Sequence, residues 1–275
     1  DTSSKPTLSY TKWALTDIAW KFLETVSKSS VDKAVPRILK SELFDDNGNG
    51  KFDKLVVDFS ENVLAVSDVS TWSFANVLSW MSFKSVSVSS KKATFVLNES
   101  SVFDTSVWSM KLNFSSHSSW KDNNANTLWG ISNMSIWDKA KPVVVSAEYF
   151  DLNWNYKVDK VKLTLSENVL WFNNSDFSTL WLVKNTSTVS WKEVWIDIVE
   201  TSSDHNTGVS ATFSFTTWNL KDVANNFVVS AINKVITDKV VPKLLSVETG
   251  DSNGNGKIDF MQLAYSEKLN TSFWS

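Results

Sequence analysis

The chain has 275 residues, of which 42% are hydrophobic and 21% are charged, and its formal net charge is -3. This composition is typical of a globular protein of about two domains, and a weak negative charge without a basic stripe argues against nucleic acid as a partner. The absence of cysteine excludes disulfides, thiolate metal sites and cysteine nucleophiles. The sequence contains no apolar run of about 18 residues, so no membrane-spanning helix is predicted. Residues 1–4 lack the features of a signal peptide.

One block of sequence occurs three times, at residues 32–63, 138–169 and 238–269. The copies carry identical residues at matched positions, which include Asp32/Asp138/Asp238, Pro36/Pro142/Pro242, Glu42/Glu148/Glu248 and Glu61/Glu167/Glu267. Recurrence at a nearly fixed spacing predicts tandem structural repeats.

A shorter motif closes each repeat and contains Asp17, Asp122 and Asp222. We therefore predict the C-terminal tail of one repeat at 1–31, complete repeats at 32–137 and 138–237, and the N-terminal part of a further repeat at 238–275. A chain divided in this way is expected to be a segment of a longer array, in which neighbouring repeats of the same chain are partners.

Alternating apolar residues predict β-strands on either side of a polar loop. The alternating positions are Leu39, Ser41 and Leu43 before the first loop, Leu55, Val57 and Phe59 after it, and Val161, Leu163 and Leu165, then Met261, Leu263 and Tyr265, after its two copies. A period of two gives each strand one buried face. β-Branched and aromatic runs follow at 93–97 and 211–215, and no helical stripe of useful length competes. The predicted fold is all-β, with tandem β-sandwiches.

The polar loop has the spacing of a calcium-binding loop. Asp or Asn stands at positions 1, 3, 5 and 9 in all three copies, and Gly stands at position 6 in two of them. An EF-hand loop has the same order over its first nine positions, where position 7 contributes its backbone carbonyl. The predicted calcium ligands are Asp45, Asn47, Asn49, Lys51 and Asp53; Asp151, Asn153, Asn155, Lys157 and Asp159; and Asp251, Asn253, Asn255, Lys257 and Asp259.

The bidentate glutamate that an EF-hand carries at position 12 is missing from every copy. Candidates to complete the site are the glutamates before each loop, although a solvated position on the outer strand face is the favoured interpretation for them: Glu42, Glu148 and Glu248. A structural role is the favoured interpretation for the glutamates that begin the next turn: Glu61, Glu167 and Glu267. The alternative for the whole loop is a polar hairpin turn without metal, because Asn and Asp favour turns.

Two carboxylates and two amides in each loop predict modest affinity, on the order of 10⁻⁴–10⁻³ M as in extracellular modules. We expect the middle site to be the weakest, because Tyr156 replaces the turn glycine of the other copies.

The strand end at 58–63, DFSENV, and its copy at 164–169 resemble the FSE-x-V strand of bacterial Ig-like domains. The motif at 15–20, LTDIAW, is similar to the L-x-D-x-A-G-N turn that closes those domains, except that Trp20 and Asn225 stand where the family has Gly. The polar loops resemble those of dockerins and thrombospondin type 3 repeats. The resemblance implies an extracellular or cell-surface array of Ig-like β-sandwiches, as in surface-layer proteins, without catalysis.

The chain contains 15 Trp and only 7 Gly, although β-rich chains need Gly at turns. Trp154 stands where Gly48 and Gly254 stand in the other loops, and Trp108 aligns with Gly208. UGA is read as Trp in some translation tables and as Gly in certain bacterial lineages, so a gene translated with the wrong table would give this pattern. The alternatives are exposed indoles that stack on sugars and ordinary core tryptophans.

Catalytic motifs are weak. His117 and His205 lie in non-equivalent loops without a repeated Ser or Asp partner, which argues against a triad. Pairs such as Asp45-Asp46 could be imagined as glycosidase acids, but a repeated surface loop is a poor place for a unique active site.

We therefore predict a non-enzymatic, calcium-stabilised spacer, scaffold or adhesin at the bacterial cell surface, with glycans or proteins of that surface as candidate ligands. The alternative is a carbohydrate-binding accessory region of a larger secreted enzyme. Genuine tryptophans that cluster on one sheet face would favour that alternative.

Overall fold

The computed structural model describes residues 2–77, 81–170, 177–180, 182–200, 207–208, 210–215 and 220–270. These residues form an all-β protein with twenty strands, as the alternating sequence predicts. Over the described ranges there is no helix that is long and apolar enough to cross a membrane.

The strands in the first half of the chain are β1 (Thr7–Tyr10), β2 (Val26–Ser29), β3 (Ile38–Phe44), β4 (Lys54–Phe59), β5 (Trp72–Ala75), β6 (Ser82–Ser89), β7 (Lys92–Asn98), β8 (Lys111–Phe114), β9 (Ile131–Ser135) and β10 (Trp137–Asp138). Those in the second half are β11 (Val144–Phe150), β12 (Lys160–Leu165), β13 (Phe177–Leu180), β14 (Lys184–Ser190), β15 (Glu193–Ile198), β16 (Thr212–Phe215), β17 (Ala231–Val235), β18 (Thr237–Asp238), β19 (Leu244–Gly250) and β20 (Phe260–Tyr265).

The chain forms two compact units. Unit 1 contains residues 1–46, 52–101 and 107–138, and unit 2 contains residues 47–51, 102–106 and 139–275. Short segments at 47–51 and 102–106 therefore belong to unit 2, although the chain on both sides of them belongs to unit 1.

Both units contain the same two sheets. In unit 1 the order is β10-β3-β4-β7-β6 in a five-stranded sheet and β5-β8-β9 in a three-stranded sheet. In unit 2 it is β14-β15-β12-β11-β18 and β13-β16-β17, which is the same arrangement at corresponding strands. The short strands β10 and β18 pair in parallel with β3 and β11, respectively. Two further sheets have two strands each, β1-β2 and β19-β20.

The predicted inward faces of β4 and β12 are buried. Leu55, Val57 and Phe59 are at most 2% exposed, and Val161 and its alternating partners are equally buried. In unit 2 these side chains share one core with residues of the three-stranded sheet, such as Phe213. Burial between two sheets explains why alternating sequences fold into a layered β structure.

Two of the alternation predictions are wrong. Leu39 is 64% exposed, because the pairing of β3 with β4 shifts between Ile38 and Lys40 and reverses the faces of the strand. On β20, Met261 and Leu263 are 63% and 44% exposed. That strand lies in a sheet of two strands, whereas its counterparts lie in five-stranded sheets that share a core with a second sheet.

The core of unit 1 contains two tryptophans. Trp120 is fully buried, and its ring centroid lies 5.1 Å from that of Trp72 and 5.9 Å from that of Phe114. The Leu128 amide donates to the Trp120 carbonyl, as the Val228 amide donates to that of Leu220. Trp120 therefore occupies the core position that Leu220 occupies in unit 2.

Candidate metal centres

Three carboxylates meet inside unit 1. Each of Asp32, Glu61 and Asp122 has a carboxylate oxygen within 4.8 Å of those of the other two. Their residues are 4%, 1% and 1% exposed. We call this group the carboxylate triad. Acidic side chains are almost never so buried unless they are paired or bind a metal.

Each member comes from a different segment of the fold. Asp32 precedes β3, where its carboxylate accepts the Ala34 amide at 2.9 Å. Glu61 follows the end of β4. Asp122 lies in the turn after β8, where it accepts the Asn124 and Asn126 amides at 2.8 Å each. These turns fix the two aspartates and direct them toward the glutamate.

Over the described residues, no salt bridge neutralises the charge of the triad. No lysine or arginine in the described part of the chain forms an ion pair with Asp32, Glu61 or Asp122. Burial raises the pKa of Glu61 above its usual value, and the nearby charges of Asp122 and Asp32 raise it further. A hard cation that accepts carboxylate oxygens would relieve this repulsion.

A threonine hydroxyl supports the glutamate. Thr2 Oγ1 donates to Glu61 Oε1 and lies 2.8 Å from Ser60 Oγ. This bond opposes the rise in the pKa of Glu61, because it favours the ionised carboxylate.

Unit 2 repeats this arrangement at corresponding residues. Carboxylate oxygens of Glu167 and Asp222 lie within 4.8 Å of one another, and the two residues are 3% and 1% exposed. Thr105 donates to Glu167 Oε1 at 2.6 Å and is fully buried. By sequence, Asp138 corresponds to Asp32, and it is 8% exposed at the end of unit 1.

A further copy lies around Glu267 in unit 2. Thr207 donates to Glu267 Oε1 at 3.2 Å. Burial and the charge of Asp238 raise the pKa of Glu267. The pair of a threonine and a glutamate therefore recurs in all three copies, and groups of three carboxylates are found at the first two over the described residues.

The sequence signal for the triad is the recurrence of Asp32, Glu61 and Asp122 at matched positions. The spacing within the loops predicts metal ligands at the loops, and the repeated block favours a structural role for Glu61. In the structure the Glu61 side chain is buried against two other carboxylates.

The predicted loops fold into compact, mostly exposed turns. In the middle loop, Asp151 accepts the amides of residues 154, 155 and 156 at 2.7–3.3 Å. Asn153 and Asn155 accept the amides two residues later, each at 3.0 Å. Asp159 accepts the amides of Leu152 and Asn153 at 2.9 and 3.2 Å.

The third loop has the same pattern. Asp251 accepts the amides of residues 254, 255 and 256 at 2.7–3.2 Å. The Asn253 side chain accepts the Asn255 amide, and the Asn255 side chain accepts the Lys257 amide. Asp259 accepts the Ser252 amide and hydroxyl, which lower its pKa. In the first loop, Asn47 and Asn49 form the two equivalent turns.

A carboxylate from outside the loop reaches the middle copy. Glu200, which follows β15, accepts the side-chain amides of Asn153 and Asn155 at 2.8 and 2.6 Å. Its charge, with that of Asp151, adds to the burial that raises the pKa of Asp159. Glu200 is therefore the residue that can supply the carboxylate missing at position 12. The sequence signal was the recurrence of Glu at 99 and 200.

The glutamates before the loops are engaged elsewhere. Glu42 pairs with Lys40 at 2.6 Å, and Glu148 pairs with Lys162 at 3.1 Å and Lys239 at 3.4 Å. The hydrogen bond from Lys162 lowers the pKa of Glu148. Glu42 is buried and Glu148 is half-buried, so the interpretation as solvated side chains fits only Glu248, which is exposed.

Of the two histidines, the structure describes His117. His117 is exposed, and its Nδ1 lies 2.7 Å from Ser119 Oγ. His205 lies outside the described residues. Comparison with protein-family models, with curated proteins and with solved structures finds no match to this chain.

Proposed function

We propose that this chain is a series of calcium-stabilised, Ig-like β-sandwich repeats in an extracellular or cell-surface bacterial protein, where it acts as a spacer, scaffold or adhesin. The observation that carries this proposal is the burial of three facing carboxylates in unit 1, with two of their counterparts, Glu167 and Asp222, buried in unit 2.

The donor set favours calcium. The triad offers only carboxylate oxygens, and the chain has no cysteine and only two histidines. Hard oxygen ligands suit Ca²⁺, whereas zinc and copper select nitrogen and sulfur. Asp32, Glu61 and Asp122 would hold the ion, which would supply positive charge and no chemistry beyond it.

The position of the triad fits a structural role. Its members tie the start of β3, the end of β4 and the turn after β8 to one point. An ion at that point would link segments that are distant in sequence, and it would stabilise the folded chain only. Repetition of this device suits a spacer or scaffold better than a single active site.

Calcium binding to the whole chain tests the proposal. The protein is freed of metal with EDTA and titrated with CaCl₂ in a calorimeter, and hydrogen exchange is measured with and without calcium. We expect heat of binding, together with new protection in peptides that contain Asp32 and Asp122. Glu61→Gln should remove that protection from unit 1.

Asp17→Asn is the matched control. Asp17 accepts the amides of Ala19 and Lys21 at 2.8 and 2.9 Å, as Asp122 accepts those of its own turn. It is exposed and belongs to no described carboxylate cluster. The proposal fails if exchange of the triad peptides is the same in calcium and in EDTA, or if the control loses as much protection as Glu61→Gln.

The carbohydrate-binding alternative is favoured by exposed indoles. Trp108, Trp129 and Trp137 are 87%, 58% and 60% exposed. Pull-down of the whole chain on insoluble polysaccharides would support this alternative if alanine at these positions abolished retention.

A further inference from the structure

Four tryptophans adopt a backbone conformation that favours glycine. The φ angles of Trp13, Trp20, Trp154 and Trp191 are 117°, 56°, 64° and 56°. A bulky side chain at positive φ is a conformational outlier, because its Cβ approaches the neighbouring backbone. Burial compensates little, since the four side chains are 71–84% exposed, although the Trp13 ring centroid lies 5.5 Å from that of Phe22.

Corresponding positions in other copies show the same conformation with smaller residues. Trp154 corresponds to Gly48 and Gly254, whose φ angles are 68° and 69°. Trp191 corresponds to Ser90 in the turn between β6 and β7, and the two φ angles are 56° and 55°. The turn therefore requires positive φ, whichever residue occupies it.

The closing turn gives a third comparison. Trp20 corresponds to Ala125 and Asn225, and all three have φ between 56° and 73°. The fold sets this angle in every copy, and an indole at the position serves no packing purpose in the described structure.

Other tryptophans are buried in the core or form a hydrogen bond. Trp72 and Trp120 are 4% and 0% exposed and pack against one another in the core of unit 1. Trp195 donates from Nε1 to Glu193 at 2.9 Å. One class of tryptophans is therefore exposed at positive φ, and a second class, Trp72 and Trp120, is buried without positive φ. Trp108, Trp129 and Trp137 are exposed without positive φ and belong to neither class.

One sequence-based alignment needs correction. Thr105 and Thr207 make equivalent contacts, because their amides donate to the Ser166 and Ser266 carbonyls at 3.4 Å each. Gly208 therefore corresponds to Ser106, and the alignment of Trp108 with Gly208 is wrong. The φ angle of Trp108 is not positive, so Trp108 does not belong to the first class.

We infer that the codons for Trp13, Trp20, Trp154 and Trp191 are read as glycine in the cells that make this protein. A UGA codon assigned to glycine by the host, but to tryptophan in the written sequence, accounts for both classes. Tryptophans such as Trp120 would then be encoded by UGG. This inference is independent of calcium binding.

The consequence is a different surface. With glycine at position 154, the fourth position of the middle loop has the same residue as its copies, Gly48 and Gly254. Four highly exposed indoles would also be absent from the native protein. Sugar stacking could then depend only on the remaining exposed tryptophans.

Peptide mass spectrometry of the protein from its native cells tests the inference directly. We expect glycine at positions 13, 20, 154 and 191 and tryptophan at 72 and 120, with TGA and TGG codons respectively. Tryptophan in the native peptides at the first four positions, or TGG codons there, would overturn the inference.

Recombinant protein gives a second test. In the recombinant whole chain with tryptophan at these positions, Trp154→Gly and Trp191→Gly should each raise the melting temperature, because glycine adopts positive φ without strain. Trp120→Gly should lower it strongly by opening a cavity. A lower melting temperature for both turn variants would contradict the assignment of these positions to glycine.

Discussion

The carboxylate triad and the middle polar loop differ in the groups that surround their carboxylates. In the triad, three carboxylates face one another at 1–4% exposure. In the loop, Asp151 and Asp159 accept backbone amides from their own turn and are only half-buried. The loop aspartates are therefore held mainly by backbone amides, although Asp159 Oδ1 is buried without a hydrogen-bond partner. The triad carries a repulsion among three buried carboxylates that a cation would remove.

This difference predicts which site controls stability. Paired or metal-bound charges can be kept in a protein interior, but uncompensated ones destabilise it. An ion at the triad should thus act on the folding of the unit, and an ion at the loop should act mainly on the loop itself. The sequence favours the loops as ion sites because their ligands lie within one short segment at the spacing of an EF-hand loop.

The largest effect should be a reversal of sign in Glu61→Gln. Without calcium the substitution removes one of three facing charges, so the free energy of unfolding should rise. With calcium it removes a ligand, so a stabilisation of about 2.7 kcal/mol at about 100 times the dissociation constant should be lost. Thermal unfolding of the whole chain in EDTA and in CaCl₂ measures both. A variant that is less stable in both conditions would show that the triad is a hydrogen-bonded structure rather than an ion site.

The pH dependence should differ between the two conditions. The pKa of Glu61 is raised from 4.5 by burial and by Asp122 and Asp32. A raised pKa means that the folded chain binds the proton more tightly, so this stabilisation is full below pH 4.5 and is lost as pH rises through the folded pKa. In EDTA, the melting temperature of the unsubstituted chain should therefore fall as pH rises through the folded pKa of Glu61. This fall is measured relative to the melting temperature of Glu61→Gln at the same pH. Calcium competes with the proton, so its stabilising effect should grow with pH. A calcium effect that is equal at low and neutral pH would contradict this coupling.

A smaller effect is expected at the threonine that supports each glutamate. Thr105 is fully buried and donates to Glu167 Oε1 at 2.6 Å. Thr105→Val keeps the shape of the side chain but removes the donor, and hydrogen bonds to charged groups contribute about 1.5–3 kcal/mol. Chemical unfolding of the whole chain should show a loss of this size. Thr105→Ser retains the hydroxyl and should recover most of it, and equal losses in both variants would point to packing instead.

The fold was predictable because its information is local. Alternation at Leu55 and Val57 identifies a buried strand face without knowledge of its partners. The exposure of Leu39 was not predictable, because the shifted pairing of β3 with β4 depends on the partner strand. The exposed face of β20 also depends on which strands surround it.

The candidate sites also differ in whether they depend on local sequence or on contacts between distant segments. The order of Asp and Asn in each loop predicts turns that the structure contains. The triad requires Asp32, Glu61 and Asp122 to meet from three distant segments, and recurrence alone does not show that they meet. The positive φ of Trp191 had no sequence signal, because its counterpart is Ser90 rather than glycine.

The smallest effect should come from the middle loop. Glu200 accepts the side-chain amides of Asn153 and Asn155 and is the carboxylate best placed to complete a calcium site there. If calcium binds, Glu200 should exchange these amides for the ion, and exchange of a peptide covering 151–159 should slow. Glu200→Gln should abolish that slowing but shift the melting temperature little, because surface charge changes away from buried features are usually within about 0.5 kcal/mol.

Asp197→Asn is the control for this experiment. Asp197 lies on β15 close to Glu200 in sequence, but it pairs with Lys160 at 2.8 Å rather than with a loop residue. Calcium should still slow exchange in the loop of this variant. If the loop peptide exchanges at the same rate in calcium and EDTA while the triad peptides respond, the loops are polar turns and the triad alone binds the ion. A strong loop response in Glu200→Gln would instead mean that the loop completes its coordination without this glutamate.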